Sequence, residues 1–311
     1  MKHQTVLLPL VITFFTISCL WAQAGLSVRL EVLGTVQDGG APHIGCKKSC
    51  CIDLSAEEKG QRKVTALGLV LEAEKKHYFF EASPDITSQW TQLHQSAGPE
   101  SRLDGIFLTH AHIGHYSGLQ FLGKEALGGK DIPVYAMPRM KTFLENNGPW
   151  SQLVEDRNIL IRPLKHNEAV TLSPRVTVTP LRVPHRDEYS ETVGYMIQGV
   201  EKKALFLPDI DKWERWEQPL EAVLETVDYA LLDATFFDAA EINNRDMSAI
   251  PHPFVVETLA RLAALPKSER QKVIFIHLNH TNPLLNPRSI QTQRVKDAGM
   301  HVARIGMQII L

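Results

Sequence analysis

Three histidines fall within six residues of the stretch "GIFLTHAHIGHYSGLQFL": His110, His112 and His115. His110 and His112 are two apart, so in extended chain they point the same way. His115 follows three residues later, where "YSGLQFL" begins to look helical. A strand-to-helix turn can aim all three at one point, and neutral imidazoles at such spacing are good ligands for Zn²⁺. Other metal-type side chains stand just past apolar runs: His185 after "LRVP", Asp209 after "ALFLP", His277 after "VIFI". Four strand ends that each present such a group imply one shared rim and one cation. Cys46, Cys50 and Cys51 form a separate group. A disulfide between the adjacent Cys50 and Cys51 would be strained, which leaves one bridge plus a free thiol, or a thiolate metal site.

The elements that must position these residues are readable from periodicity. "SVRLEVLGT" alternates like a strand, and a glycine-rich turn, "QDGGAPHIGCKKSCC", follows it. "TALGLVLEAEKKHYFFEAS" reads as two strands around a charged turn. "DITSQWTQLHQSA" is a helix with Asp85 as its N-cap. "LDGIFLT" is a buried strand that delivers the histidines, "IPVYAM" another strand, and "PRMKTFLEN" a helix opened by proline. Strands follow at "RVTVTPLRVPH", "TVGYMIQG", "KALFLPD" and "DYALLDAT". "HPFVVETLARLAAL" is an amphipathic helix, "KVIFIHLNHT" a strand running into a loop, and "PRSIQTQRVKDAG" a helix. "HVARIGMQIIL" closes the chain as one or two strands. Strands come in groups as well as alternating with helices, which favours mixed sheets over a doubly wound parallel sheet.

The chain has 311 residues, 44% of them apolar and 22% charged, values of a globular protein. Its net charge of −2 gives no electrostatic reason to bind nucleic acid or acidic membranes. The first residues, "MKHQTVLLPLVITFFTISCLWAQAG", have a short basic start, an apolar stretch and small residues before Gly25, the layout of a secretory signal peptide. Cleavage is expected after Ala24, giving a leader over 1–24, one domain over 25–311, a periplasmic or secreted protein, and no stable membrane insertion. The apolar stretch is short for a span, and Thr-Ile-Ser before Cys19 is a poor lipoprotein signal.

"THAHIGH" resembles the His-x-His-x-Asp-His signature of the metallo-β-lactamase superfamily. The resemblance implies an α/β (α+β) fold, a four-layer αβ/βα sandwich with metals at one edge of the paired sheets. On that pattern His110, His112 and His185 hold a first metal, His115 and His277 a second, and Asp209 bridges, with Asp211 a weaker rival for the bridge. Gly114 stands where the family carries its Asp, so the second site is expected to be weak, to take another metal, or to stay empty. "VLGTVQDGGAPHIGC", "FEASPDI", "SETVGYMI", "LLDATFF", "RDMSAIPH" and "IHLNHTNPLLN" together look like the pyrroloquinoline quinone biosynthesis protein B branch over nearly the whole mature chain. That branch often lacks the first two metal histidines, which this chain keeps. Relatives also carry a Cys-x-Cys-x-x-Cys turn whose structural zinc is completed by a late histidine. Here Cys46, Cys50 and Cys51 with His280 would make a closed tetrahedral site; the alternative is a Cys46–Cys51 or Cys46–Cys50 disulfide. His43 and His252 are further candidates for either site or for substrate contact.

Zinc lowers the pKa of a bound water from about 16 toward roughly 7. Metal-bound hydroxide would then attack a small ester, phosphodiester or amide, with Asp209 and His115 at the reacting centre and Asp209 shuttling the proton. Gly-x-Ser-x-Gly, P-loop and dinucleotide fingerprints are absent from the sequence. The alternatives are an iron- or manganese-containing site, with iron and oxygen oxidising a small quinone precursor, and a non-catalytic carrier of the quinone or its precursor. The partner is a small molecule; "HRDEYSE" and "FFDAAEINNRDMSAIPHP" are expected to line its pocket, with Arg186, Tyr189, Arg245 and His252 as candidate readers of an anionic group. Oligomeric state is open.

Overall fold

A computed structural model describes residues 27–241 and 250–311. The leader, Cys19 and Arg245 lie outside the described residues. Among the described residues no helix is long and apolar enough to cross a membrane.

The first half of the chain builds one sheet and the second half another. Strands β1 (Val28–Gly34), β2 (Ala66–Leu71), β3 (Lys76–Phe80), β4 (Arg102–Phe107), β5 (Ile132–Ala136) and β6 (Ile159–Pro163) form the first. Strands β7 (Val170–Ser173), β8 (Val176–Arg182), β9 (Val193–Gln198), β10 (Lys203–Leu207), β11 (Tyr229–Asp233), β12 (Val273–Ile276) and β13 (His301–Val302) form the second. The last strand, β14 (Gln308–Ile310), returns to the first sheet beside β1. The orders are β14-β1-β2-β3-β4-β5-β6 and β13-β12-β11-β10-β9-β8-β7. Each sheet is antiparallel at one end and parallel at the other: β3 to β6 run parallel in the first, β10 to β13 in the second. These are mixed sheets, as the grouping of strands predicts.

Side-chain alternation assigns each face. In β3, Tyr78 and Phe80 point between the sheets while Phe79 points to the helices. In β10, Ala204 and Phe206 face inward and Leu205 and Leu207 outward. The inter-sheet layer joins Phe80, Phe107, Tyr195 and Phe206, with Phe80–Phe107 ring centroids 5.1 Å apart and Phe80–Tyr195 5.4 Å. Helix Ile86–Ala97 packs on the outer face of the first sheet, and helix Val255–Leu262 on that of the second. The result is the four-layer sandwich, with strands buried on both faces, which is why they read as near-continuous apolar runs.

Several elements have no counterpart in the sequence reading, among them helix Trp150–Glu155, the short helices Ala56–Gly60 and Leu220–Glu225, and strands β6 and β7. Both strands lie at sheet edges and show broken burial patterns, so their apolar signal is weak. Asp85 precedes helix Ile86–Ala97, but its side chain makes no cap hydrogen bond. Its Oδ2 instead accepts from the Val64 backbone N–H at 2.7 Å, tying the helix start to the segment entering β2.

Candidate metal centre

The carboxyl ends of parallel strands from both sheets meet at one edge, the usual place for a ligand in such sheets. β4 runs into Thr109 and His110, then into the short helix Ile113–Tyr116 that carries His115. The His115 N–H donates to the His112 carbonyl at 2.9 Å, which closes the strand-to-helix turn. The second sheet contributes His185 beyond β8, Asp209 beyond β10, and His277 one residue past β12.

These residues converge. His110, His112 and His185 offer ligand atoms all within 4.8 Å of one another; so do Asp38, His115, Asp209 and His277. A third, overlapping group joins His185, Asp209 and His252. His110 Nε2 lies 2.8 Å from His112 Nδ1. Asp209 sits between the clusters: its Oδ2 is 3.0 Å from His115 Nε2 and 3.1 Å from His277 Nε2, and its Oδ1 is 3.7 Å from His185 Nε2. Asp211 takes no part. It is engaged by Arg215 at 2.6 Å and by the Lys212 N–H at 2.7 Å, which removes it as a rival for the bridge.

Two acid–threonine pairs, one per sheet, orient the imidazoles. Thr109 Oγ1 donates to Glu81 Oε1 at 2.6 Å, so it accepts from His110 Nδ1 at 2.9 Å. Glu81 Oε1 also lies 3.0 Å from His115 Nδ1. On the second sheet Thr235 Oγ1 donates to Asp233 Oδ1 at 2.8 Å and accepts from His277 Nδ1 at 2.9 Å. With Nδ1 protonated in this way, Nε2 of His110, His115 and His277 presents a lone pair to the site. Such carboxylate-backed histidines are the common outer shell of metal ligands. Asp233 Oδ2 additionally accepts from His252 Nδ1 at 2.7 Å.

The electrostatics suit a cation. Burial, then the charge of His115, holds His110 well below its ordinary pKa. Burial also lowers His112 and brings His185 to about 4, so these three are neutral ligands near pH 7. Burial disfavours charge on His115, but Glu81, Asp38 and Asp209 outweigh it and raise its pKa well above the usual value: without a metal, this acid-rich pocket holds a proton. Both ring nitrogens of His185, and Asp209 Oδ2, are buried without an aligned hydrogen-bond partner. Buried polar atoms normally have one, and metal ligation through His185 Nε2 and Asp209 Oδ2 would satisfy two of the three.

Beside Gly114 the structure places a carboxylate that the sequence reading did not count. The sequence leaves the second cluster one carboxylate short, but the structure brings in Asp38, whose Oδ1 is 3.0 Å from His115 Nε2 and 3.4 Å from His277 Nε2. Asp38, Glu81, Asp233 and Thr235 were not among the sequence-derived site residues. Each lies at or shortly after the end of a strand, in "VQDGG", "HYFFEAS" and "LLDAT", the same signal that marks His110 and Asp209. His252 joins the site, buried beside His185 at a ring distance of 5.1 Å. Arg186 Nη2 is 3.5 Å from His112 Nε2 at the mouth.

The cysteines form their own group. Cys46, Cys50, Cys51 and His280 offer ligand atoms within 4.8 Å of one another. The Cys46–Cys50 and Cys50–Cys51 sulfurs are 4.0 and 3.9 Å apart, and all three thiols are free. Burial and the neighbouring thiols push Cys50 up to about 12; burial, then the charge of His43, lowers His280 to about 4. His43 stacks on His280 at 4.4 Å rather than entering the group.

Residues 76–278 match the family model described as the beta-lactamase superfamily domain. The chain belongs to the metallo-β-lactamase superfamily. Among curated members it is 25% identical to coenzyme PQQ synthesis protein B of Methylococcus capsulatus, across 91% of this chain and 99% of that protein. It is 26% identical to the protein of the same name from Methylobacillus flagellatus, across 91% and 100%. The same superfamily fold appears in the Zn²⁺-bound PqqB of Methylobacterium extorquens (TM-score 0.73, 22% identity, 91% of this chain and 100% of that one). A diphosphatase of the PhnP family shares it too (TM-score 0.66, 21% identity, 92% and 98%).

Proposed function

We propose that the chain is an exported metal-dependent hydrolase of a small ester, phosphodiester or amide. The observation that carries this reading is the convergence of His110, His112, His115, His185, Asp209 and His277 from both sheets, with carboxylate-backed threonines or Glu81 orienting three of the imidazoles. His110, His112 and His185 would hold one ion; His115 and His277 would hold another, with Asp209 shared. Zinc suits such a donor set and supplies Lewis acidity and a water acidic enough to deprotonate near neutral pH.

The residues around the ions have definable tasks. Asp209, its two oxygens facing different clusters, orients the attacking water and accepts its proton. His252 has Nδ1 fixed by Asp233, which leaves Nε2 to deliver a proton to the leaving group. Burial lowers the His252 pKa, but the charge and hydrogen bond of Asp233 and the charge of Asp209 outweigh it and raise the pKa above the ordinary value, as a general acid requires. Arg186 at the mouth attracts an anionic substrate. Cys46, Cys50, Cys51 and His280 hold a structural zinc away from the reaction, and residues 1–24 act as the export leader. A diphosphatase and the short form of human tRNase Z, which share the fold, make phosphoanhydrides and phosphodiesters the first classes to assay.

The test is metal content and turnover on the exported protein. His110→Ala and His185→Ala should each lose an ion and lower hydrolysis of bis(p-nitrophenyl) phosphate by at least about 100-fold, given the 10- to 100-fold cost of outer-shell changes alone. His252→Asn should slow alkyl esters far more than p-nitrophenyl esters, whose leaving group needs no proton. Full turnover by metal-free protein would refute the reading. A second reading rests on the full-length likeness to PQQ synthesis protein B: a role in making that quinone, by iron- and oxygen-dependent oxidation of a precursor or by carrying it. Iron in the purified protein together with oxygen-dependent turnover would favour it.

A further inference from the structure

Gly114 and Asp38 are far apart in sequence and meet in space. A Cβ built on Gly114 would lie 2.4 Å from Asp38 Oδ1 and 2.7 Å from Asp38 Cα. The volume in which a side chain at position 114 would begin is therefore filled by the carboxylate of another segment. A side chain at 114 and Asp38 in its present place exclude each other.

The placement of Asp38 is fixed by backbone. Val36 bridges to both Val64 and Leu278. The Gln37 N–H donates to the Leu278 carbonyl at 2.9 Å, and the Leu278 N–H donates to the Thr35 carbonyl at 2.8 Å. The segment leaving β1 is thereby stitched to the residue after His277. The chain then turns sharply at Gly40, whose φ of +71° favours glycine. Asp38 is held beside His277 by this stitch, independently of its own side-chain contacts.

The side chain has no ordinary structural task. It is 14% exposed, and its Oδ1 lies 3.0 Å from His115 Nε2 and 3.4 Å from His277 Nε2, the atoms that face the second cluster. With Asp209 it gives the second cluster two negative charges and two imidazoles, the balance a dication needs in a buried site.

We propose that Asp38 is a direct ligand of the second ion, supplied from the turn after β1 in place of a side chain at 114, and that Gly114 is the vacancy that admits it. This rests on the reading of the rim as a two-ion centre. The second site is then a full site rather than a weakened one.

Zinc and cobalt titrations of the metal-stripped chain, with ion content measured directly, test it. Wild-type protein should take up two ions that depend on the rim histidines. Asp38→Asn, which keeps the shape and removes the charge, and Asp38→Ala should each retain the ion held by His110, His112 and His185. Each should weaken the other ion by more than the roughly 100-fold upper end typical of an outer-shell residue. Retention of the first ion shows that the variants have folded. Two ions bound with wild-type affinity by both variants would overturn the inference. A wild-type chain whose rim takes up no second ion at all would instead overturn the two-ion reading beneath it.

Discussion

Glu81 occupies a left-handed backbone position, φ 78°, one residue beyond β3. For a residue with a side chain such a conformation costs on the order of 1–3 kcal/mol and persists where the surroundings enforce it. His277, one residue beyond β12, shows the same feature with φ 65°. In both cases the chain turns off a buried strand at once, so that the next side chain reaches the rim instead of the core. Glu81 then serves both clusters, orienting His110 through Thr109 and His115 directly. Glu81→Gln keeps the volume and removes the charge that fixes those tautomers. It should weaken binding of both ions by about 10- to 100-fold, the usual cost of losing an outer-shell carboxylate, and lower hydrolysis with them. Competition against a chromophoric zinc chelator measures this; unchanged affinity at both sites would assign Glu81 a purely structural role.

At the scale of elements, the two metal-type groups share their supports. Asp38 and Cys46–Cys51 belong to one turn, and His277 and His280 to one loop. Closing the cysteine group with an ion would draw the turn and the loop together at their far ends, while the Val36–Leu278 bridge holds the near ends. Cys51→Ser and His280→Ala should therefore lower the affinity of the second ion by about 10-fold, the lower end of outer-shell effects, and leave the His110 ion untouched. Ion content after dialysis reads both sites at once, and equal losses at the two would argue for general unfolding rather than a shared turn. The same elements show why the sequence was only partly legible. His110, Asp209 and His277 follow short apolar runs and His185 follows an alternating strand, so their convergence could be argued before any coordinates. Asp38 follows β1 by four residues, inside a glycine-rich turn, and its direction depends on a bridge to a segment some 240 residues away. No local period carries that information. The edge strands β6 and β7 were illegible for a related reason: burial on one side only leaves a pattern too short to separate from loop.

At the scale of the molecule, the two sheets come largely from the two halves of the chain and are joined by an apolar layer, by the return of β14 to the first sheet and, at one edge, by the rim. His110 and His112 come from the first sheet and His185 from the second, so an ion held by all three is a cross-link between halves. The second cluster crosses the same boundary, with His115 from the first sheet and Asp209 and His277 from the second. Such a link binds the folded state alone, because the unfolded chain scatters its ligands. Each ion present at 100 times its dissociation constant then adds about 2.7 kcal/mol to folding stability. For domains of 150–250 residues each kcal/mol raises Tm by about 2–4 °C, and this chain lies at or below the low end of that range. Stripping both rim ions with a chelator should thus lower the midpoint by roughly 10 °C. His185→Ala should remove about half of that dependence, since it unties one ion and leaves the other. Thermal melts of both proteins with and without chelator make the comparison. A wild-type midpoint that does not move on chelation would mean that the sheets need no cross-link and that the rim holds no ion tightly.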